Sequence, residues 1–424
     1  MNWSLFGDKF TRQAGITQLM DDLNDGLRTP GAIMLGGGNP ARIPQMQDYF
    51  TERCRHLLDS GELTDALCNY DGPQGKDSFL HALAAWLQQQ FGWPLTAEHI
   101  ALTNGSQSAF FYLFNLLAGP NAEGQQKRIL FPLAPEYLGY TDGGLQDAQF
   151  LAHRPLIEEL DDGFFKYHID FDTLPLNEDI GLICVSRPTN PTGNVLTDQE
   201  ITRLDELARA HRIPLLIDNA YGLPFPGIIF NDAKPHWNDN TILCMSLSKL
   251  GLPGLRCGIV IAHPRIIRAI GNLNGIISLA PGSVGPALAL DMLRRGDLLR
   301  LSEQVVRPFY QQRLSQTLAI LRRYLPASRC KIHQPEGALF LWLWFAGLPI
   351  STQTLYERLK ARGVLVVPGC HFFTGLAQPW RHADECIRMN YVPEPELIEQ
   401  GVKILAEEIE RAWQEADAAQ PLAE

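Results

Sequence analysis

The chain has 424 residues, 45% hydrophobic and 20% charged. That length and balance suit a folded protein of two or three domains and exclude disorder, collagen and coiled coil. Its 36 Lys and Arg stand against 47 Asp and Glu, a net charge of −11, which argues against a nucleic-acid binder but leaves room for a local basic pocket.

In chain order, the opening MNWSLFGDKFTRQAG has no basic region followed by an apolar run, so no secretory leader is expected. The longest apolar stretch, ALFLWLWFAGL, is too short to span a membrane. The glycine-rich LGGGNPA at 35–41 reads as the exit of an N-terminal arm. From there to about residue 295, short apolar runs alternate with amphipathic stretches. The runs RILFPL (128–133), IGLICVS (180–186), IPLLID (213–218), TILCMSLS (241–248) and CGIVIA (257–262) read as strands covered on both faces. SQSAFFYLFNLLA (106–118) and TDQEITRLDELARAH (197–211) read as helices, the second opening with a T-x-x-E capping box. Strand and helix in alternation predict an α/β fold with a mainly parallel sheet. After about residue 295 come a long helix through Pro308 to Tyr324, then strand-like EGALFLWLWF, helix-like TQTLYERLKARG, strand-like VLVVPG and CIRMNYV, and a last helix from about Glu394 to Ala416. These predict a smaller α+β domain. The expected division is 1–47 for the arm and part of the small domain, 48–295 for the large domain and 296–424 for the small one. Both termini are expected in or near the small domain, with EADAAQPLAE a frayed tail. The eight cysteines include no C-x-x-C pair, and several sit in apolar runs, as reduced thiols of a cytoplasmic protein would.

Several familiar motifs fail. GPQGKD at 72–77 lacks the first glycine and the final Ser/Thr of a phosphate loop. GGGNPAR is not G-x-G-x-x-G, no G-x-S-x-G elbow is present, and the histidines show no zinc spacing, so no metal is expected.

Five other signals fall near strand ends or helix starts, where open α/β folds place ligands. In TNGSQSAFF, Gly105 and Ser106 open a helix whose free N–H groups suit a phosphate, although an ordinary capped helix reads the same way. In PEY, Tyr137 offers a ring to a planar heterocycle, or is simply a packed loop residue. In RPTNPTGN, prolines stiffen a turn that fixes Asn190. In LLIDNAYG, Asp218 ends an apolar strand, as the partner of a cationic ring nitrogen or as a helix cap. In SLSKLGLPGLRCG, Lys249 sits among apolar residues that lower a lysine's pKa, and Arg256, Ser246 and Ser248 suit a phosphate. Together they supply the contacts that pyridoxal 5′-phosphate needs.

The order NGSQ, PEY, NPTG, DNAY, SLSK-x6-R resembles the aspartate-aminotransferase superfamily, fold type I of the pyridoxal-phosphate enzymes. The likeness extends through CNYDGPQGK and FFYLFNLLAG to the final VPEPELIEQGVKILAEEIERAW. The resemblance implies that Lys249 bonds the cofactor and shuttles protons, and that Asp218 keeps the pyridine nitrogen protonated. Tyr221 and Asn190 would bond the phenolic oxygen. Ser106, Gln107, Ser246, Ser248 and Arg256 would hold the phosphate, and Tyr137 would stack on the ring. Tyr70 would reach the phosphate of a neighbouring subunit, implying a homodimer with shared sites. Arg388 would fork the substrate carboxylate, with Gly38 and Asn190 beside it. No second arginine for a side-chain carboxylate is identifiable, which fits an apolar amino acid. The implied reaction moves the amino group of valine to pyruvate, giving 2-oxoisovalerate and alanine. Another transaminase, or an eliminating or decarboxylating enzyme, would use the same groups. An aminotransferase-like regulator would need a DNA-binding module, and only about 35 residues precede LGGGNPA.

Overall fold

Apolar strings without alternation make strands that are covered on both faces, and the middle of the chain folds in that way. The computed structural model describes residues 2–11, 21, 26, 29, 31–146 and 148–419. Residues 12–20, 22–25, 27–28 and 30 of the expected arm, and 420–424 of the expected tail, lie outside them.

In chain order the first strands are β1 (Ile33–Met34), β2 (Ile100–Asn104), β3 (Gly119–Pro120), β4 (Gln126–Phe131), β5 (Phe150–Ala152), β6 (Leu156–Glu159) and β7 (Phe164–His168). Then come β8 (Ile180–Ser186), β9 (Leu215–Asp218), β10 (Thr241–Ser246), β11 (Cys257–Ile261), β12 (Lys331–His333) and β13 (Phe340–Trp344). The last are β14 (Val364–Leu365), β15 (Val367–Pro368) and β16 (Cys386–Asn390).

The large sheet has the order β2-β11-β10-β9-β8-β4-β3, with β5 also on β4. Its centre, from β10 through β9 and β8 to β4, is parallel, while β11 runs antiparallel to both β10 and β2. Every residue of β9, β10 and β11 is buried. Helix Ser106–Leu117 covers one face and buries Ala109, Phe110, Leu113 and Phe114. Helix Asp198–Ala210 opens on the expected box: Glu200 N donates to Thr197 Oγ1 at 3.1 Å and Thr197 N donates to Glu200 Oε2 at 2.8 Å.

The second sheet has the order β15-β16-β13-β12-β7-β6. β12 pairs in parallel with β7, so residues 156–168 join the C-terminal sheet although they fall within the 48–295 span. That sheet therefore departs from the chain-order boundary. The helix through Pro308 has a wide turn at Ser302–Val306 before Arg307–Tyr324. Proline has no N–H to continue the ladder, and the wider turn absorbs the loss. The last helix, Pro395–Ala419, runs three residues beyond the expected end and packs on Arg307–Tyr324. Arg313 clamps Glu394 at its start with two bonds, 2.9 and 3.0 Å.

β1 pairs in parallel with β14, which puts the glycine-rich exit of the arm on the C-terminal part. Helix Leu5–Thr11 rests instead on the large-sheet part: Phe10 meets Phe111 at 6.4 Å, and Lys9 bonds the Gly144 carbonyl. All eight cysteines are unpaired; Cys54, Cys68 and Cys370 are exposed and the other five are buried.

Candidate active site

The carboxyl ends of the parallel strands open into a cavity of about 200 Å³. Gly38, Ser106, Gln107, Tyr137, Asn190, Asp218, Tyr221, Ser246, Ser248, Lys249, Arg256 and Arg388 all line it. A single place thus gathers every residue that the resemblance gave a role except Tyr70, which is 83% exposed and outside this cavity.

One end of the cavity is a ring of donors. Gly105, at φ +84°, turns β2 into helix Ser106–Leu117, whose first N–H groups have no partner within the helix. A Cβ on Gly105 would come within 2.1 Å of Arg256 Nη2, and one on Gly258 within 2.6 Å of Ser106 N. Both glycines are thus what allows the backbone and the guanidinium to converge. Ser246 Oγ donates to Ser248 Oγ at 2.9 Å and accepts from Ser248 N at 3.1 Å, which fixes both hydroxyls. Gln107 lines the cavity beside Ser106, with Nε2 donating to the Gly139 carbonyl at 2.8 Å, which steadies the loop behind Tyr137.

The floor is charged. Lys249 follows β10 on a short turn, Ser248–Leu250, and its Nζ donates to the Gly38 carbonyl at 2.6 Å. The same Nζ lies over the Tyr221 ring, 5.3 Å from its centroid. Burial, with Arg388 nearby, lowers the ammonium's pKa to about 8, while Asp218 opposes the shift. Asp218 is 8% exposed. Burial raises its pKa to about 6, against bonds from Tyr140 Oη at 2.6 Å and Ala220 N at 3.0 Å that favour the charged form. No helix follows Asp218, so it caps none.

The far wall is β16. Arg388 Nη1 donates to Asn190 Oδ1 and Nη2 to the Gly36 carbonyl, each at 2.7 Å. Its guanidinium stacks 4.2 Å from the centroid of Phe340 and 5.2 Å from that of Phe372. Burial lowers its pKa to about 10, so it stays charged at neutral pH. Its Nε is buried with no partner among the described residues. Asn390 faces the same way and donates to the Gly37 carbonyl at 2.9 Å, so β16 holds the glycine loop with two side chains. The Asn190 turn is itself braced by Arg187, whose three nitrogens bond Leu196 O, Lys234 O and Asp198 Oδ1.

The sequence reading missed Phe110, Leu138, Pro188 and Ala220 in the lining, and Tyr140, Ser186 and Glu136 behind Asp218. Glu136 lies inside the PEY motif, which was the one available signal.

Comparison with known proteins agrees with this geometry. Residues 51–405 match the family Aminotransferase class I and II. Valine–pyruvate aminotransferase of Escherichia coli is 67% identical over 416 residues, 98% of this chain and 100% of that one. The crystal structure of valine–pyruvate aminotransferase from Salmonella typhimurium superposes with a TM-score of 0.89 at 64% identity, covering 95% of this chain and 100% of that chain. A putative amino-acid aminotransferase from Psychrobacter arcticum gives a TM-score of 0.94 at 45% identity, covering 98% of this chain and 99% of that one.

Proposed function

Since the chain belongs to the class I and II aminotransferases, we propose that it binds pyridoxal 5′-phosphate in this cavity and moves the amino group of valine to pyruvate, giving 2-oxoisovalerate and alanine. The observation that carries the reading is the meeting of Lys249, Asp218 and Arg388 in one cavity, in a chain this similar to the valine–pyruvate enzymes.

The residues present fit the cofactor. Gly105 and Gly258 leave open a cradle that a Cβ would fill, and Ser106, Ser246, Ser248 and Arg256 bring hydroxyl and guanidinium donors to it. Tyr137 offers a ring to stack on a flat heterocycle, and Asn190 and Tyr221 offer donors to its phenolic oxygen. Bound pyridoxal phosphate would supply an aldehyde that takes up the amino group and a protonated ring that accepts the electron pair left by the α-proton.

The chain's own residues do the rest. Asp218, when ionised, would hold a proton on the ring nitrogen. Lys249, by its Nζ, would hold the aldehyde of the bound cofactor. Its Nζ, with a pKa lowered to about 8, is then a base suited to taking the α-proton and returning it one atom away. Arg388 grips the carboxylate shared by valine and pyruvate, using the buried Nε that lacks a partner among the described residues. Arg388 and Asn390 also hold the glycine loop by the Gly36 and Gly37 carbonyls. Arg388 is flanked by Phe340 and Phe372.

The same reading includes a homodimer in the cytoplasm. Leu67, Tyr70, Ile276, Ile277 and Leu279 are exposed. The segment after Tyr70 is tied to helix Pro264–Ile277 by Asn274 Nδ2 donating to Pro73 O at 2.7 Å. An apolar face of this kind fits a second copy of the chain, with Tyr70 reaching the copy's phosphate cradle. The eight unpaired cysteines support the cytoplasmic setting. The test is a panel of amino donors offered with pyruvate to the cofactor-loaded protein. Valine should lead in kcat/KM, and a clear preference for aspartate or an aromatic donor would overturn the substrate assignment.

A further inference from the structure

Behind the cavity wall, four oxygen-bearing side chains stand in line. Tyr140 Oη donates to Asp218 Oδ2 at 2.6 Å and lies 3.3 Å from Ser186 Oγ. Ser186 Oγ lies 2.5 Å from Glu136 Oε2, and Ser186 N donates to Glu136 Oε1 at 2.9 Å. Ser186 edges the cavity, but Tyr140 and Glu136 are outside its lining. The Tyr140 ring is fully buried, stacked on Phe131 at 5.7 Å and met edge-on by Phe110 and Phe114 at 5.0 and 5.3 Å, so its hydroxyl has one direction to point.

Glu136 is buried and has no ion-pair partner among the described residues; the groups acting on it are Ser186, Asp218 and the Tyr137 backbone. The titratable groups that face it are Asp218, Tyr140 and the Cys184 thiol; its other partners are Ser186 and the Tyr137 N–H. Two ionised carboxylates in one dry wall would repel, and only Asp218 has the Lys249 ammonium to balance it. The proton therefore belongs on Glu136. With Glu136 protonated, its Oε2–H supplies the 2.5 Å contact. Ser186 is then free to turn its own O–H to the Tyr140 oxygen, and the Tyr140 proton is committed to Asp218.

We infer that Tyr140, Ser186 and a neutral Glu136 form a positioning relay for Asp218, aiming the tyrosine O–H at the carboxylate so that it stays ionised where the ring nitrogen of the cofactor would meet it, a role that rests on the cofactor reading above. Burial raises the pKa of Glu136 to about 8, in the same direction.

The experiment uses the cofactor-loaded enzyme. Tyr140→Phe keeps the ring packing and removes the O–H. Its kcat for valine with pyruvate should fall about ten- to a hundredfold with KM nearly unchanged, and the acid limb of the kcat profile should move up by about one pH unit or more. Glu136→Ala should show the same shift, and Glu136→Gln, neutral and of the same shape, should rescue it. A wild-type minus Glu136→Gln infrared difference spectrum at neutral pH should show a protonated carboxyl stretch. If Gln harms as much as Ala, or the difference spectrum shows carboxylate bands, Glu136 is ionised and the relay is refuted. An unmoved acid limb in Tyr140→Phe, with Lys249 still labelled by borohydride in the presence of cofactor, overturns the relay alone. Absence of that label in the wild type overturns the cofactor reading and the relay's role with it.

Discussion

Arg388→Lys is the sharpest test of how the carboxylate is held. A guanidinium has five N–H donors, and Arg388 uses one on Asn190 and one on the Gly36 carbonyl. Three remain for a substrate carboxylate, including the buried Nε. A lysine ammonium has three donors around one point and cannot span Asn190, Gly36 and a forked carboxylate at once. At least one charged hydrogen bond is therefore lost, a cost of about 1.5–3 kcal/mol, or roughly ten- to a hundredfold in affinity. Valine and pyruvate present the same carboxylate, so steady-state kinetics should show both Michaelis constants rising together. Cofactor affinity, measured by equilibrium dialysis, should stay near wild type, because Arg256 and the serines lie at the other end of the cavity. A variant that loses thermal stability while keeping both Michaelis constants would make Arg388 a purely structural brace of the glycine loop and refute the reasoning.

Three other outcomes are expected. Lys249→Ala should keep its circular dichroism but lose turnover and the covalent adduct that borohydride traps in the wild type; peptide mapping of that adduct to another lysine would contradict the assignment. Gly105→Ala should weaken cofactor binding roughly ten- to a hundredfold and also lower thermal stability, because its Cβ would meet Arg256 Nη2 at 2.1 Å and a φ of +84° strains any residue with a side chain. Glu136 has a folded pKa raised from 4.5 to about 8. Its contribution to stability is thus complete below about pH 4.5 and is lost as pH rises to about 8. The cofactor-free melting temperature should decline across that window, and Glu136→Gln should flatten the decline.

The parts of the fold that were legible came from unbroken apolar strings. GLICVS, LLID, TILCMS and CGIVI are buried on both sides, so their composition alone marks them as central strands. β6 and β7 have no such mark: LIEE is largely exposed, and FFKYH is a short run with a lysine at its centre, so nothing local assigns them to a sheet completed more than 160 residues later. The candidate site was legible to the extent that each group sits on its own strand end. Lys249, Asp218, Asn190 and Arg256 each follow a strand or a stiff turn, and the parallel sheet aligns those ends without further information. The relay was not legible, because Glu136, Tyr140 and Ser186 serve Asp218 across strands. A glutamate in a loop motif reads as a surface charge until the fold shows that it is buried. Tyr70 is the opposite case: the motif names it, but a single chain leaves it facing outward.

The most direct measurement supplies the cofactor-loaded enzyme with pyruvate and valine carrying heavy nitrogen, and follows both products by mass spectrometry. The account predicts heavy-nitrogen alanine and 2-oxoisovalerate in equal amounts, with no ammonia released. Ammonia in place of labelled alanine, or no transfer from valine at all, would contradict it.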